Sequence, residues 1–124
     1  MTAVITVCET CKRADWDAEK NSIRDGEALA ALVETAAESV DSVEVRRHSC
    51  LMGCDFACNV AIQSEGKLNY VLGTFEPTKD AAESIVEYAS LYAESETGQV
   101  PYKTWPQAIK GHFRARLPKL DQSE

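Results

Sequence analysis

NVAIQSEGKLNYVLG, residues 59–73, contains two short apolar runs on either side of a polar turn. Both runs are rich in the β-branched and aromatic residues that favour strands. The connecting SEGK includes Gly66, which can supply the positive backbone dihedral of a tight turn. The pattern predicts an antiparallel hairpin in the second half of the chain.

Two more strands and a helix are predicted before this hairpin. AVITVC (residues 3–8) is typical of a short buried strand, and SVEVRRH (residues 42–48) alternates valines with polar residues. Between them, Asp25 is predicted as the N-cap of a helix. The apolar stripe of that helix recurs at steps of three and four residues and comprises Leu29, Leu32, Val33, Ala36 and Val40. Strand, helix and strand in this order predict a right-handed βαβ crossover.

A second amphipathic helix is predicted after the hairpin. Its start signals are Thr74, Pro77 and Asp80. Its apolar face comprises Ala81, Ile85, Tyr88, Ala89 and Tyr92. The complete order, β-α-β-β-β-α, predicts an α/β (α+β) single domain of thioredoxin-like arrangement, with helices packed against a four-stranded mixed sheet.

The end of the chain is basic, in contrast to the acidic remainder. Five Lys or Arg residues and no acid occur between Lys103 and Lys119. Trp105, Ile109 and Phe113 recur at four-residue steps, which predicts a short third helix that begins near Thr104 and ends before Pro118. We therefore expect a thioredoxin-like domain over residues 1–98. A basic extension over residues 99–124 would pack on the same domain or dock to an acidic partner or a second subunit, as in a homodimer.

Length and composition limit the class of protein. The chain has 124 residues, of which 44% are hydrophobic and 27% charged, as in one ordinary globular domain. The net charge of −7 argues against general binding to nucleic acid, which requires a basic face. The opening MTAVITVC has no basic region and only a short apolar run, so neither a signal peptide nor a membrane span is predicted. The expected location is cytoplasmic, where thiols stay reduced.

Five cysteines are concentrated in two short segments. Cys8 ends the first predicted strand and Cys11 follows it, while Cys50 and Cys54 follow the second. Because neighbouring parallel strands bring their carboxyl ends to one edge, the two segments are expected to meet. Four thiolates suit zinc or an iron–sulfur cluster. Cys58 is an alternative ligand, a thiol behind the ligands, or a core residue.

Two other interpretations of the thiols are possible. A structural zinc site fits the short spacing within each cysteine pair. A thiol–disulfide oxidoreductase is suggested by CETC, but its reactive thiol should lie at the start of a helix. The predicted helix begins fourteen residues after Cys11. His48 could also be a ligand, although a single histidine at a strand end is more often a surface residue.

CLMGC followed by NVAI, a short turn and LNYVLGTFEPTKD resembles the thioredoxin-like [2Fe-2S] ferredoxins, which include a small subunit of respiratory NADH dehydrogenase. Over residues 4–118 the chain resembles still more closely a family of small bacterial predicted metal-binding proteins of unknown function. That family shares the Cys-x-x-Cys start, the Cys-Leu-x-x-Cys-x-x-x-Cys loop and the GQVPYKTWP segment.

The ferredoxin resemblance implies the identity of the cluster ligands. They would be Cys8, Cys11, Cys50 and Cys54. Cys58 would complete the set in place of Cys11 if Cys11 is not a ligand. Gly53 would let the backbone approach the cluster.

The function expected from these features is one-electron transfer through a [2Fe-2S] cluster. The alternative is a cysteine-ligated zinc or metal-delivery module for cofactor assembly, without electron transfer. A redox or cofactor-assembly protein partner is implied in either case. No Ser-His-Asp pattern or glycine-rich phosphate loop occurs, so an enzyme that acts alone is not predicted.

Overall fold

The computed structural model describes residues 2–11, 17–19, 23–49 and 58–118. These residues form five strands and two α-helices in an α+β arrangement, with two short 3-10 turns before the last strand. In chain order the strands and helices are β1 (Ala3–Cys8), α1 (Asp25–Ala37), β2 (Val43–His48), β3 (Val60–Gln63), β4 (Asn69–Leu72), α2 (Lys79–Glu94) and β5 (Phe113–Leu117).

The five strands form one mixed sheet in the order β2-β1-β3-β4-β5. β1 is parallel to β2, and the other three neighbouring pairs are antiparallel. The predicted hairpin is confirmed as β3 and β4, and Gly66 in its turn has a φ of 76°. β1 is an inner strand with β2 and β3 as its neighbours, so its last residue lies between the end of β2 and the start of β3.

One face of the sheet carries the core. Ile5 and Val7 on β1 lie beside Ile62 and Val60 on β3, and all four are fully buried. Both helices pack on this face, because α1 and α2 contact each other as well as β1 and β2. Removing each such aliphatic side chain from water contributes roughly 1.5–3 kcal/mol. The intervening residues of β1, such as Thr6, are only half-buried on the opposite face.

A buried lysine joins the hairpin to the second helix. The Lys67 ammonium donates to the carbonyl oxygens of Tyr92 and Ala93, both at 2.9 Å, at the C-terminal end of α2. A cation there is favoured by the helix dipole, and its bond to the Tyr92 carbonyl adds to the one from the Ser95 N–H at 3.1 Å. Tyr92 in turn donates its hydroxyl proton to the Leu68 carbonyl at 2.6 Å. These bonds fix the hairpin against α2.

The predicted third helix is wrong. Residues 102–104 and 107–109 form single 3-10 turns, and residues 113–117 form β5, so the sheet has five strands and not four. Pro106 lacks the N–H that a continuous helix would use, and Gly111 has a φ of 86°, which ends any helical run. Trp105, Ile109 and Phe113 recur at four-residue steps because the 3-10 turns and β5 each pack an apolar side chain against the core.

The helix positions are confirmed, but two predicted start residues are not. Asp25 is the first residue of α1, and Arg24 is the N-cap without a side-chain capping bond. Thr78 caps α2 by accepting the Ala81 N–H at 3.2 Å. Thr74 lies before that cap, with a φ of 62°. No α-helix in the described part of the chain is long and apolar enough to span a membrane.

Candidate metal centre

Cys8 and Cys11 form a tight turn at the end of β1. The Cys11 N–H donates to the Cys8 carbonyl at 3.3 Å, and both side chains are buried, at 2% and 4% exposure. The Cys8 thiol also lies 3.9 Å from the Thr10 hydroxyl, within hydrogen-bond range for sulfur. Two of the predicted ligands thus share one small, largely dry site.

The first turn of α1 packs directly on this cysteine turn. The Gly26 N–H donates to the Cys11 carbonyl at 2.9 Å. A Cβ atom at residue 26 would lie 1.9 Å from the Cys8 carbonyl oxygen, far inside van der Waals contact. Only glycine permits this approach. The thirteen residues between Cys11 and the helix in the sequence therefore do not separate the two in space.

Asn59 supplies hydrogen bonds to a sulfur. Its side-chain amide donates to the Cys11 Sγ at 3.6 Å, and its own carbonyl accepts the Cys8 N–H at 3.0 Å. Burial and a hydrogen bond with Cys8 raise the pKa of the Cys11 thiol to about 11, although bonds from Asn59 act in the opposite direction. Burial dominates because the thiolate is the form that loses solvation.

The other predicted ligands, Cys50 and Cys54, belong to the segment between β2 and β3. Cys8 lies next to the residues that flank this segment on both sides. On one side Cys8 pairs with His48, whose carbonyl accepts the Glu9 N–H at 2.9 Å. On the other side it bonds to Asn59. Cys50, Gly53 and Cys54 themselves lie outside the described residues. His48 is exposed.

Cys58 has a different environment from the cysteine turn. Its side chain is fully buried, and its N–H donates to the Phe75 carbonyl at 3.3 Å. Cys58, Val60 and Ile62 alternate along the chain and are each 0% exposed, which is the pattern of residues on the core face. This burial is typical of a cysteine that acts as a small hydrophobic residue.

A surface ion-pair network lies beside the cysteine turn. Arg47 on β2 makes a two-pronged contact with Glu34 on α1, at 2.9 and 2.7 Å, and approaches Glu9 at 3.8 Å. The contact with Arg47 lowers the pKa of Glu34. Arg24 donates to the Thr10 carbonyl at 3.2 Å. These contacts tie the turn to α1 and β2 at the surface.

The structure brings together some of the predicted site residues and adds two more. Within the ranges 2–11, 17–19, 23–49 and 58–118, no three His, Cys, Asp or Glu side chains are grouped so as to hold a metal ion. The described part of the predicted site is the Cys8 and Cys11 pair. Gly26 and Asn59 were not predicted as site residues. Gly26 could have been suspected from the sequence, because a glycine in the first turn of a predicted helix often allows a close approach of another segment.

The fold and the site define an α+β protein with a buried cysteine pair at the end of β1, an inner strand of its sheet. The profile of one family, described as Protein of unknown function (DUF1636), matches residues 5–119. The chain belongs to this family. Neither a comparison with curated proteins nor one with solved structures gives a match.

Proposed function

We propose that the chain is a small iron–sulfur protein that transfers single electrons through a [2Fe-2S] cluster held by Cys8, Cys11, Cys50 and Cys54. The observation that carries the proposal is the position of Cys8. It lies at the end of β1 between His48 and Asn59, and Cys50 and Cys54 belong to the segment that connects β2 and β3, the strands on either side of β1. A four-thiolate site is the simplest use of this arrangement.

The described half of the site fits such a group in three respects. Two thiols share one turn, as the short Cys-x-x-Cys spacing requires. The Asn59 amide donates to the Cys11 sulfur, and N–H to sulfur bonds are a principal means by which proteins set cluster potentials. Gly26 removes the Cβ that would push the helix away from the turn. The bound cluster would supply reversible one-electron oxidation and reduction.

The sheet order supports a thioredoxin-like assignment for the first four strands. The parallel β1 and β2, followed by the antiparallel β3 and β4 in the order β2-β1-β3-β4, match the arrangement expected from the ferredoxin resemblance. β5 would then be an addition at the outer edge. The proposal includes a cytoplasmic location, where reduced thiols persist, and a protein partner for electron exchange.

Zinc is the alternative occupant, because four thiolates in two short pairs also suit a tetrahedral zinc site. Metal delivery has less support, since its natural exchange thiol, Cys58, is fully buried on the core face. A thiol–disulfide oxidoreductase has less support, because both thiols of the Cys-x-x-Cys pair are buried, at 2% and 4% exposure, whereas reactive cysteines lie in partly exposed sites.

The test is anaerobic purification followed by metal and sulfide analysis, visible absorption and EPR. We expect a red-brown protein with two irons and two sulfides per chain, and visible bands that bleach on dithionite reduction. A colourless protein with one zinc would overturn the electron-transfer role and leave a thiolate metal site. Protein without bound metal, even after reconstitution with iron and sulfide or with zinc, would overturn both.

A further inference from the structure

A groove of about 740 Å³ lies far along the sheet from the cysteine turn, at the β4 and β5 edge. One wall is formed by β5 and Tyr70 of β4, and the other by residues between Thr97 and Trp105. Its volume lies within the range of small-molecule sites, roughly 300–1,000 Å³. Nothing in the proposed metal chemistry uses this groove.

Aromatic rings line the groove and are held in position. Phe113 packs edge-on against Tyr70 at 5.4 Å and lies against Trp105 at 4.7 Å, with 32° between the planes of the second pair. The Trp105 indole N–H donates to the Val100 carbonyl at 2.8 Å. That bond fixes the ring orientation. A planar ligand would therefore find preformed aromatic faces and need not order flexible side chains.

The charge of the groove is positive. Arg114 and Arg116 are exposed residues of β5, and both line it, while no acidic residue does so among those described. Arg116 pairs with Tyr70 across the strands, which places the two on the same face. The register then shifts by one residue, so that Leu72 pairs with Phe113. This bulge returns Phe113 to the core face beside Arg116.

An unsatisfied hydroxyl lies behind the aromatic wall. Tyr88 of α2 is fully buried and packs against Tyr70, Trp105 and Phe113, with centroid distances of 6.2, 5.8 and 5.3 Å. In the described structure its hydroxyl has no hydrogen-bond partner. A buried polar atom without a partner is costly and recurs at functional sites. The Tyr88 ring supports the aromatic wall of the groove from behind.

We propose that the groove binds a planar aromatic or heteroaromatic anion. The ring would lie against Trp105 and Phe113, and its carboxylate or phosphate would be held by Arg114 and Arg116. Charge complementarity supports this occupant, because two arginines line a groove of a chain whose net charge is −7. Guanidinium groups recognise planar carboxylates and phosphates by paired hydrogen bonds.

Naphthoate is a suitable probe, and naphthamide is its neutral counterpart of nearly the same shape. Each would be titrated into the full-length protein by calorimetry, with the Trp105 indole N–H followed by NMR. We expect saturable one-to-one binding of naphthoate, a shift of the Trp105 signal, and binding of naphthamide at least about tenfold weaker. Equal affinity for both probes, or no saturable binding of naphthoate, would overturn the proposal.

Variants locate the site. The double variant Arg114→Gln/Arg116→Gln should weaken naphthoate binding by at least about tenfold, since it removes both charges. Arg46→Gln, which changes an exposed arginine of β2 at the opposite edge of the sheet, should bind as the unaltered protein does. Circular dichroism checks that both variants are folded. Trp105→Leu provides a second, uncharged test and should also weaken binding.

A titration with a short polyglutamate peptide separates a small-molecule groove from a protein-docking surface. We expect the peptide to bind more weakly than naphthoate and to leave the Trp105 signal unshifted. Tighter binding of the peptide, or equal binding of naphthoate by the Arg46 variant and the double arginine variant, would overturn the proposal. None of these outcomes depends on iron or zinc, so the proposed function is tested separately.

Discussion

The backbone N–H of Gly26 donates to the carbonyl oxygen of Cys11 at 2.9 Å, and this contact seats the start of α1 on the cysteine turn. The helix and the turn are separated in sequence but share one small volume. Because the Cys8 carbonyl also faces Gly26, the glycine sets the distance between helix and strand. The geometry of the Cys8 and Cys11 thiols therefore depends on a residue that has no side chain.

Replacing this glycine should damage the site despite a better helix propensity. Alanine gains about 1 kcal/mol over glycine inside a helix, but its Cβ at residue 26 would lie 1.9 Å from the Cys8 oxygen. We expect Gly26→Ala to lower the free energy of unfolding by about 1–3 kcal/mol, as overpacking does, and to reduce metal content. Urea denaturation and metal analysis measure the two effects. Glu27→Ala in the same helical turn is the control, and equal stability of the two variants would contradict the prediction.

Two of the three buried cysteines, Cys11 and Cys58, should respond differently to the same truncation. Cys11→Ala removes a proposed ligand and should abolish stoichiometric metal binding. Cys58→Ala should retain the metal and lose only about 1 kcal/mol of stability, through a small cavity in the core. Metal content after reconstitution decides between them. The reverse result would make Cys58 the ligand and Cys11 the core residue.

Asn59 should tune the centre without being a ligand. Its side-chain amide donates to the Cys11 sulfur, which stabilises negative charge there. We therefore expect Asn59→Leu to keep the iron content and to shift the reduction midpoint to more negative values, measured by dye-mediated titration. An unchanged midpoint with intact iron would show that this amide has no influence on the centre.

Two buried tyrosines of α2, Tyr88 and Tyr92, allow a matched test of how much a buried hydroxyl contributes to the free energy of unfolding. Tyr92 donates to the Leu68 carbonyl, whereas the Tyr88 hydroxyl has no partner within the described structure. Tyr92→Phe should cost about 1 kcal/mol, and Tyr88→Phe should leave stability unchanged or raise it by up to about 1 kcal/mol. Thermal and urea unfolding measure both. A larger loss for Tyr88→Phe would mean that its hydroxyl has a stabilising partner.

The same tyrosines predict a loss of stability in alkali. Burial raises the pKa of Tyr92 from 10.0 to about 12, and it also raises the pKa of Tyr88. The folded state then holds the phenolic proton more tightly than the unfolded state does. This contribution is complete below pH 10 and is lost as the pH rises towards 12. Tyr92→Phe should flatten part of that pH dependence, and an unchanged profile would contradict the assignment.

Much of the fold could be predicted because its patterns are local. Alternating valines, a turn with Gly66 and two apolar stripes define the strands and helices up to residue 94 without knowledge of their neighbours. The C-terminal segment could not be predicted in this way. Trp105, Ile109 and Phe113 have helical spacing, yet Pro106 and Gly111 interrupt it and the last strand pairs with β4. Edge pairing of this kind is a tertiary effect that spacing does not encode.

The candidate site was predictable only in part for a similar reason. Parallel strands bring the carboxyl ends of β1 and β2 together, so the proximity of Cys8 to the end of β2 could be predicted, and the structure pairs Cys8 with His48. The approach of Gly26 and the amide of Asn59 depend on how a helix and a strand start pack against the turn. No short sequence motif predicts the contacts of Gly26 and Asn59 with the cysteine turn.

The most direct test of the central claim is X-ray absorption at the edge of the metal that copurifies with the anaerobic protein. We predict a first coordination shell of sulfur, at about 2.3 Å for either iron or zinc thiolates, with an iron neighbour if a cluster is bound. Replacement of either Cys8 or Cys11 by alanine should remove this shell or the metal itself. A first shell dominated by nitrogen or oxygen, or an unchanged spectrum in both variants, would contradict the claim that this cysteine turn holds the metal.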